Sequence, residues 1–382
     1  MDVTDSLLNE HYKDQRQVRK LKDKFASTFD LGAFSDEEKD LLRTDLSYKK
    51  RMSKINKDAR NAAKRDTCYF CGKDVTSFCN SHSVPRFCLE NIATQGEVLT
   101  LNAIVDNPLI EREKGIKKAG TFQLICNDCD SKIFSHYENP DNYVSKPSAK
   151  MIAQMALKNS LKSISKRLFE IELFNLASKI SETARSFTKI KNEINEIDLK
   201  EYEKSYKKAK RAIEKNSTSD YYVCYYEKLD YVVPIAFQAS MAMVMDFEGN
   251  IINDIYNPSS KYVIQNIHIS ILPLKTETVI VMFIEDGDTR YRRFYKQFNK
   301  LPLEDKLAAL TYIIFLYSED IYFSKSIEKE VIESQALCGA GRTTQDMFSP
   351  LPFLNPLETL KDSHDLNKRH EIPNLLSEKY KL

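Results

Sequence analysis

The sequence predicts an α+β protein: N-terminal helices lead to a small cysteine-rich module, long central helices follow, and a C-terminal antiparallel sheet with helices completes the chain. Three observations support this prediction. Four cysteines form two CxxC pairs in the first third of the chain. Apolar residues recur at helical spacing after residue 148, and β-branched and aromatic residues dominate between residues 220 and 285. A change of period along one chain is typical of folds that segregate helices from strands.

The composition is that of a globular protein with room for two or three domains. The chain has 382 residues, of which 42% are apolar, and its 57 basic and 55 acidic residues leave a net charge of +2. The overall charge therefore gives no indication of nucleic-acid binding. The sequence contains no run of 18 apolar residues and begins with a polar, acidic segment, so a cytoplasmic protein is predicted. In that compartment thiols stay reduced, which favours metal binding over disulfides.

Residues 1–65 are predicted to be helical and to become basic toward their end. Ser35 followed by Glu38 has the pattern of a helix N-terminus. Residues 43–65 contain nine basic and two acidic residues, a local excess of seven positive charges. Such a helix is suited to lie along a phosphate backbone. A solvated helix face explains the same pattern, and both interpretations stay open.

Residues 66–147 contain both cysteine pairs, Cys68 with Cys71 and Cys126 with Cys129. Four thiolates satisfy the tetrahedral geometry of zinc, so these cysteines are the predicted ligands of a structural zinc ion. Gly72 follows the first pair, where a tight turn often requires a positive φ. The second pair leads from a strand-like segment into a predicted helix. A knuckle followed by such a helix is the signature of a treble-clef zinc finger.

Three segments follow the module. Residues 148–216 are predicted to form one or two long helices, with Ser148 as the N-cap. Residues 217–338 are predicted to form an antiparallel sheet plus helices, without a catalytic group. Residues 339–382 contain several prolines and polar clusters, which predict a poorly packed tail.

The segment between the two cysteine pairs includes Ser81, His82, Ser83, Val84 and Pro85. The order of a CxxC pair, a histidine closely followed by proline, and a second CxxC pair at a helix start resembles the zinc-stapled branch of the HNH (ββα-metal) endonucleases. The resemblance is confined to this module. It implies hydrolysis of phosphodiester bonds in DNA or RNA, with the histidine as general base and a Mg²⁺ or Mn²⁺ ion stabilising charge on the phosphate.

Carried over to this chain, the resemblance assigns His82 as the general base. Asp130 occupies the position where the family usually has a histidine or asparagine that binds the catalytic metal. Asn91 is the candidate for the middle asparagine of the motif, with Asn102 as the other choice. Ser81 stands where the family typically has an acidic residue, so one usual metal ligand is missing. His82 also has two simpler interpretations, a structural histidine beside the zinc or a spare zinc ligand.

Other polar residues are predicted to have structural roles or are left open. Cys79 and Cys88 have a spacing unlike common metal sites and are predicted to be buried free thiols. His268 lies in an alternating strand opposite isoleucines, so it is predicted at the surface or at a sheet edge. Arg290 begins a stretch of interleaved basic and aromatic residues. That pattern fits either single-stranded nucleic-acid binding or the edge of a strand.

The sequence thus predicts a metal-dependent HNH-like nuclease whose C-terminal domain recognises a protein partner or a second copy of the chain. An HNH-like module joined to an unrelated domain is an arrangement typical of anti-phage defence effectors, which is an analogy of architecture. The alternative is a non-catalytic zinc-stapled module that binds nucleic acid or a protein. Ser81 favours the binding module, and the pairing of His82 with Pro85 favours the enzyme.

Overall fold

The computed structural model describes residues 46–105, 111–179, 182–255, 257, 261–346 and 356–382. The helix start predicted at Ser35 lies outside these residues. The described helices are α1 (Leu46–Ala62), α2 (Arg86–Ile92), α3 (Asn102–Val105), α4 (Asn127–Phe134), α5 (Ala149–Ser178), α6 (Glu182–Glu214), α7 (Arg292–Lys300), α8 (Leu303–Tyr317), α9 (Lys329–Ile332), α10 (Gln335–Asp346) and α11 (Pro356–Ser363). The strands are β1 (Ser81–His82), β2 (Glu97–Thr100), β3 (Glu113–Gly115), β4 (Thr121–Phe122), β5 (Tyr221–Leu229), β6 (Ile235–Met241), β7 (Ile267–Pro273), β8 (Thr278–Glu285) and β9 (Ile321–Phe323).

A seven-stranded antiparallel sheet with the order β3-β2-β9-β6-β7-β8-β5 is the centre of the fold. It confirms the predicted α+β class and the antiparallel sheet in the C-terminal half. Two of its strands, β2 and β3, come from the cysteine module and join the sheet through β9, where Leu99 pairs with Phe323. The module is therefore continuous with the sheet.

Both faces of this sheet are covered. Ile269 and Ile271 of β7 belong to one apolar cluster with residues of α7 and α8. Leu272 of β7 and Phe283 of β8 belong to a second cluster, which includes residues of α2, α4 and α5. Every residue of β7 is accordingly buried. The predicted β-branched runs reflect this double burial, because a strand covered on both sides has no polar face.

His268 is a correction to the sequence prediction. It lies on the face opposite the isoleucines, as the alternation indicates, but its exposed fraction is only 2%. Helix α5 covers that face, and the side chain of Asn159 donates a 3.0 Å hydrogen bond to Nδ1 of His268. The ring also stacks on Phe283 with 4.5 Å between centroids. The prediction was wrong because periodicity identifies a face without showing what packs on it.

Two long helices fill the segment 148–216, as predicted. The Ser148 hydroxyl accepts a hydrogen bond from the backbone N–H of Met151 at 3.3 Å, which confirms it as the N-cap of α5. Helix α6 returns antiparallel along α5, and Arg167 of α5 forms a 2.9 Å ion pair with Asp198 of α6. The first half of α5 is almost entirely buried. This helix therefore serves as the second layer behind the sheet.

The segment predicted to be a poorly packed tail contributes to the core. Leu366, Leu375 and Leu376 are fully buried in the apolar cluster beneath α8. The backbone N–H of Leu382 donates to the carbonyl of Val232 at 2.9 Å. The expectation of poor packing is thus wrong for residues 366–382. Prolines and polar residues here shape short 3₁₀ turns, between which leucines reach the core.

Candidate metal centre and the histidine beside it

The first cysteine pair lies on a tight knuckle. The N–H of Cys68 donates to the carbonyl of Lys73 at 2.9 Å, and the N–H of Gly72 donates back to the carbonyl of Cys68 at 2.8 Å. Gly72 has a φ of +71°. This confirms the positive φ predicted at that glycine, a conformation that costs other residues free energy.

The second cysteine pair starts helix α4, as predicted. Cys126 is the N-cap residue and Cys129 lies in the first turn. Toward the protein interior, α4 and the turn after it bury Ile133, Phe134 and Tyr137. The helix thereby fixes the second pair opposite the knuckle, and the N–H of Cys126 donates to Sγ of Cys68 at 3.3 Å.

The sulfur atoms of Cys68, Cys71, Cys126 and Cys129 all lie within 4.8 Å of one another. Tetrahedral coordination with zinc–sulfur bonds of about 2.3 Å would place the sulfurs about 3.8 Å apart, a spacing that falls within this limit. Four converging thiols suit a structural metal such as zinc. Within the described ranges, no other group of three or more His, Cys, Asp or Glu side chains converges in this way, and His82 is not part of the cluster.

The pKa values of the thiols indicate where ionisation begins. Burial acts to raise the pKa of Cys68, but hydrogen bonds from the backbone N–H groups of Cys71, Cys126 and Phe70 outweigh burial and lower it to about 7. For Cys129, burial and the neighbouring sulfurs raise the pKa above its usual range. A bound cation reverses that effect, because a coordinating thiol is deprotonated.

Helix α6 supports the knuckle from outside. The hydroxyl of Tyr69 donates to the Glu203 carboxylate at 2.9 Å, and the hydroxyl of Tyr206 donates to the backbone carbonyl of Tyr69 at 3.1 Å. Lys210 donates to the carbonyl of Phe70 at 2.7 Å. The residues between the two cysteines of the first pair are thus attached to α6 through both backbone and side chains.

The predicted histidine lies on a short hairpin beside this centre. Strands β1 and β4 pair antiparallel, with Ser81 opposite Phe122 and His82 opposite Thr121. Helix α4 begins five residues after β4. The module therefore contains two short antiparallel strands followed by a helix that begins at the second cysteine pair.

His82 is held in one tautomer. Its Nε2 lies 2.9 Å from the backbone carbonyl oxygen of Ile116, and a carbonyl can only accept, so Nε2 carries the proton and Nδ1 keeps a free lone pair. Burial lowers the pKa of His82, and the positive charges of Lys158 and Arg86 act in the same direction. The imidazole is consequently neutral near pH 7.

Ser81 faces the opposite way from His82, into the protein. Its hydroxyl donates to Oδ1 of Asp130 at 2.5 Å. The ammonium of Lys158, from α5, donates to Ser81 Oγ at 2.7 Å and to Asp130 Oδ1 at 3.0 Å. It also forms a 2.9 Å ion pair with Glu138 and lies 3.6 Å from the centre of the Phe134 ring. The residue predicted to hold a catalytic metal is therefore part of a buried ionic network.

The carboxyl groups of this network differ in pKa. For Asp130, burial alone would raise the pKa, but the Lys158 charge and the Ser81 hydroxyl hold it below its usual range. For Glu138, burial outweighs Lys158 and raises the pKa. Burial beside Asp130 also raises the pKa of the Cys79 thiol to about 12, which fits the predicted free thiol.

The other predicted site residues are elsewhere. The side-chain amide of Asn91 donates to the carbonyl of Pro273 at 3.0 Å and so fastens α2 to the end of β7. Asn102 is the buried first residue of α3. Arg290 donates to the carbonyls of Ile252 and Val263, and the residues after it form helix α7 in place of a strand edge.

Sequence reasoning missed Lys158 and Glu138. A signal for Lys158 exists, since it stands seven residues after Met151 and three after Met155, on the apolar face of α5. A basic residue at such a position requires an acidic partner inside the protein. Glu138 carries no comparable signal, because it lies in a polar turn after α4.

The fold and the site define an α+β protein with a four-cysteine cluster suited to a structural metal, beside which β1 and β4 form a separate two-stranded sheet ahead of α4. Comparisons with protein-family models, curated proteins and solved structures give no match to this chain. Among the described residues, no helix combines the length and apolar character that crossing a bilayer requires.

Proposed function

We propose that the protein hydrolyses phosphodiester bonds of nucleic acid and that His82 is the general base. The observation that carries this proposal is the state of the imidazole. Its Nε2–H is held by the carbonyl of Ile116, which leaves the Nδ1 lone pair to accept a proton. A neutral, oriented imidazole with a free nitrogen meets the requirement for a base that activates water near pH 7.

In this mechanism Nδ1 of His82 removes a proton from a water molecule as the water oxygen attacks phosphorus. The new oxygen–phosphorus bond forms while the bond to the leaving oxygen breaks, and the leaving oxygen takes a proton from solvent. The lowered pKa of His82 keeps the base unprotonated before the reaction. General base catalysis of this kind contributes about 10²–10⁴-fold in rate.

Positive charge near His82 supports binding of a phosphate backbone. Arg86 begins α2 four residues after His82, and its side chain is 53% exposed. Lys117 and Lys118 directly follow Ile116 and are exposed. Helix α1 carries further exposed lysines, which include Lys54 and Lys57. Such side chains neutralise phosphates irrespective of base sequence.

The residues fit the expected zinc ion better than they fit the expected Mg²⁺ or Mn²⁺ ion. The four cysteines offer a complete thiolate set, so we propose a zinc ion there with a structural role. The Mg²⁺ or Mn²⁺ ion expected at Asp130 meets a carboxylate that already accepts hydrogen bonds from Ser81 and Lys158. The proposed chemistry therefore assigns no step to a divalent ion at this carboxylate.

A second candidate function is nucleic-acid binding without hydrolysis. The specific observation in its favour is that Lys158 pairs with Asp130, the carboxylate expected to hold the catalytic metal. The zinc centre and the basic residues serve this function equally well. In that case Arg86 and the lysines of α1 would contribute to nucleic-acid affinity, and substitution of His82 would leave that affinity unchanged.

Purified protein loaded with zinc, incubated with labelled single- and double-stranded DNA and RNA, separates the two functions. The nuclease proposal expects cleavage that falls by about 100-fold or more in His82→Ala while nucleic-acid affinity is retained. His370→Ala is the matched control, because His370 is an exposed histidine that pairs with Asp305 in another part of the fold. Binding without cleavage by the wild-type protein would support the second candidate, and neither binding nor cleavage would contradict both.

A further inference from the structure

We propose that the ammonium group of Lys158 occupies the place of a divalent cation between β1 and α4, so that this position binds neither Mg²⁺ nor Mn²⁺. The inference concerns the site named in the proposed function. Its test measures cation binding in place of cleavage, so either proposal can fail without the other.

The ammonium group of Lys158 has a hydrogen-bond acceptor for each of its donors. A lysine ammonium has three N–H donors. Three oxygen atoms lie within hydrogen-bond distance of Nζ, at 2.7 Å for Ser81 Oγ, 3.0 Å for Asp130 Oδ1 and 2.9 Å for Glu138 Oε1. The Phe134 ring, 3.6 Å away, adds a favourable contact with its face. The cation is thus coordinated much as a metal ion would be.

The Lys158 side chain is also buried. Lys158 has an exposed fraction of 0%, and it projects from the half of α5 that packs against the sheet. An unpaired buried charge is strongly unfavourable, so this amine depends on Asp130 and Glu138. A divalent ion at this position would have to displace a fully buried ammonium.

Without the ammonium, the oxygen atoms around it would be available as ligands of a divalent cation. Two carboxylates and a hydroxyl are hard oxygen ligands of the kind that Mg²⁺ and Mn²⁺ prefer. The Asp130 and Glu138 side chains are 16% and 29% exposed, so an ion from solvent can reach them. Removal of the Lys158 charge therefore exposes a latent cation site.

The test is Mn²⁺ binding to zinc-loaded protein, measured by equilibrium dialysis and by electron paramagnetic resonance. Wild-type protein is expected to bind no Mn²⁺ at this position, whereas Lys158→Met, similar in length and uncharged, binds about one additional ion per chain with oxygen ligation. Addition of Mn²⁺ should raise the melting temperature of Lys158→Met and leave that of the wild type unchanged. Lys162→Met is the matched control, because Lys162 lies one turn further along α5 and pairs with a different carboxylate, Asp320.

Two results would overturn the inference. One is folded Lys158→Met that binds no more Mn²⁺ than Lys162→Met does. The other is a wild-type Mn²⁺ site that Asp130→Asn abolishes. If Lys158→Met fails to fold, the comparison of wild type with Asp130→Asn decides alone. Equal Mn²⁺ binding by those two proteins upholds the inference, and a loss in Asp130→Asn overturns it.

Discussion

At the scale of single residues, the neighbours Ser81 and His82 make different contacts. Side chains of consecutive strand residues point to opposite faces. Ser81 accordingly contacts the buried Lys158 and Asp130, whereas His82 contacts the carbonyl of Ile116 and keeps one nitrogen free. The first residue anchors the hairpin to α4 and α5, and the second is available for chemistry.

The pH dependence of cleavage tests the role of His82. Only the neutral imidazole accepts a proton, so kcat/KM should rise with pH and level off once His82 is deprotonated. Because burial lowers the pKa of His82 from its usual 6.5, the midpoint of this rise is expected below pH 6.5. A profile of kcat/KM between pH 4.5 and 8 measures it. A midpoint above pH 6.5 would contradict the assignment.

Gly120, in the loop before β4, is a second test at this scale. It has a φ of +66°, and a Cβ there would lie 2.7 Å from both Ser83 Oγ and the hydroxyl of Tyr322. Gly120→Ala therefore combines backbone strain with overpacking and should cost more than about 2 kcal/mol.

Gly249→Ala is the matched control for Gly120→Ala. Gly249 has a φ of +74°, but beyond its chain neighbours no atom lies within 4 Å of the position that an alanine Cβ would take. Only the backbone strain of about 1 kcal/mol therefore remains. Urea denaturation of both variants measures the difference. Equal losses of unfolding free energy would show that the contact between the module and Tyr322 of β9 is loose.

At the scale of elements, the knuckle and α4 are short units whose four cysteines converge on one position. The knuckle has few contacts of its own with α4, and the site brings Cys68 and Cys71 to the helix start at Cys126. A metal that bridges two short elements would add its binding free energy to the apolar packing that the module shares with the sheet. The hairpin that carries His82 lies in the same module and is expected to depend on the same metal.

Loss of one ligand should therefore release zinc and loosen the knuckle and the start of α4. Cys126→Ser is expected to reduce bound zinc from about one ion per chain to a small fraction and to lower the melting temperature. Cys224→Ser is the control, since Cys224 is a buried thiol of β5 whose Sγ donates to the carbonyl of Met282. Metal analysis by mass spectrometry with calorimetry provides the readout. Full zinc content in Cys126→Ser would rule out a four-thiolate site.

At the scale of the whole molecule, the cysteine module and the C-terminal sheet share one core. Val84 and Leu89 of the module belong to the same apolar cluster as Leu272 and Val281 of the sheet. Strand β9 pairs with β2 on one side and with β6 on the other. A change in the module is thus transmitted to the sheet through packed side chains and through backbone hydrogen bonds.

Global stability should fall in mild acid. Burial lowers the pKa of both His268 and His364 to about 4, so the folded state keeps them neutral while the unfolded chain takes up protons below about pH 6.5. The contribution of these two neutral imidazoles to the free energy of unfolding is fully present above pH 6.5 and is lost as the pH falls toward 4. Between pH 6.5 and 5 each histidine lowers the free energy of unfolding by about 2 kcal/mol.

The measurement is the free energy of unfolding against pH for the wild type and for His268→Gln and His364→Gln. Each variant should show a shallower acid dependence than the wild type, even where its stability at neutral pH is lower. Loss of zinc in acid affects all three proteins alike, so the comparison isolates the histidines. An unchanged slope in both variants would contradict the burial of neutral imidazoles.

The sequence indicated those parts of the fold that depend on local patterns. The cap at Ser148, the positive φ of Gly72 and the helix start at Cys126 each follow from neighbouring residues, and all three are present. The four-cysteine cluster followed from ligand chemistry. These features need no knowledge of distant contacts.

The parts that were missed are long-range. Pairing of β2 with β9 joins residues more than 200 positions apart, and no local pattern specifies it. His268 was misplaced because α5 covers its face, and the role of Asp130 was incomplete because Lys158 reaches it from α5. Which face is buried is encoded locally, whereas the partner that buries it is decided by the tertiary fold.

The most direct test of the central claim is the single-turnover rate of phosphodiester cleavage by zinc-loaded wild-type protein and by His82→Ala. We expect the wild type to cleave DNA or RNA, and the variant, with unchanged zinc content and melting temperature, to be slower by about 100-fold or more. Equal rates for the two proteins, or no cleavage of either nucleic acid by the wild type, would contradict it.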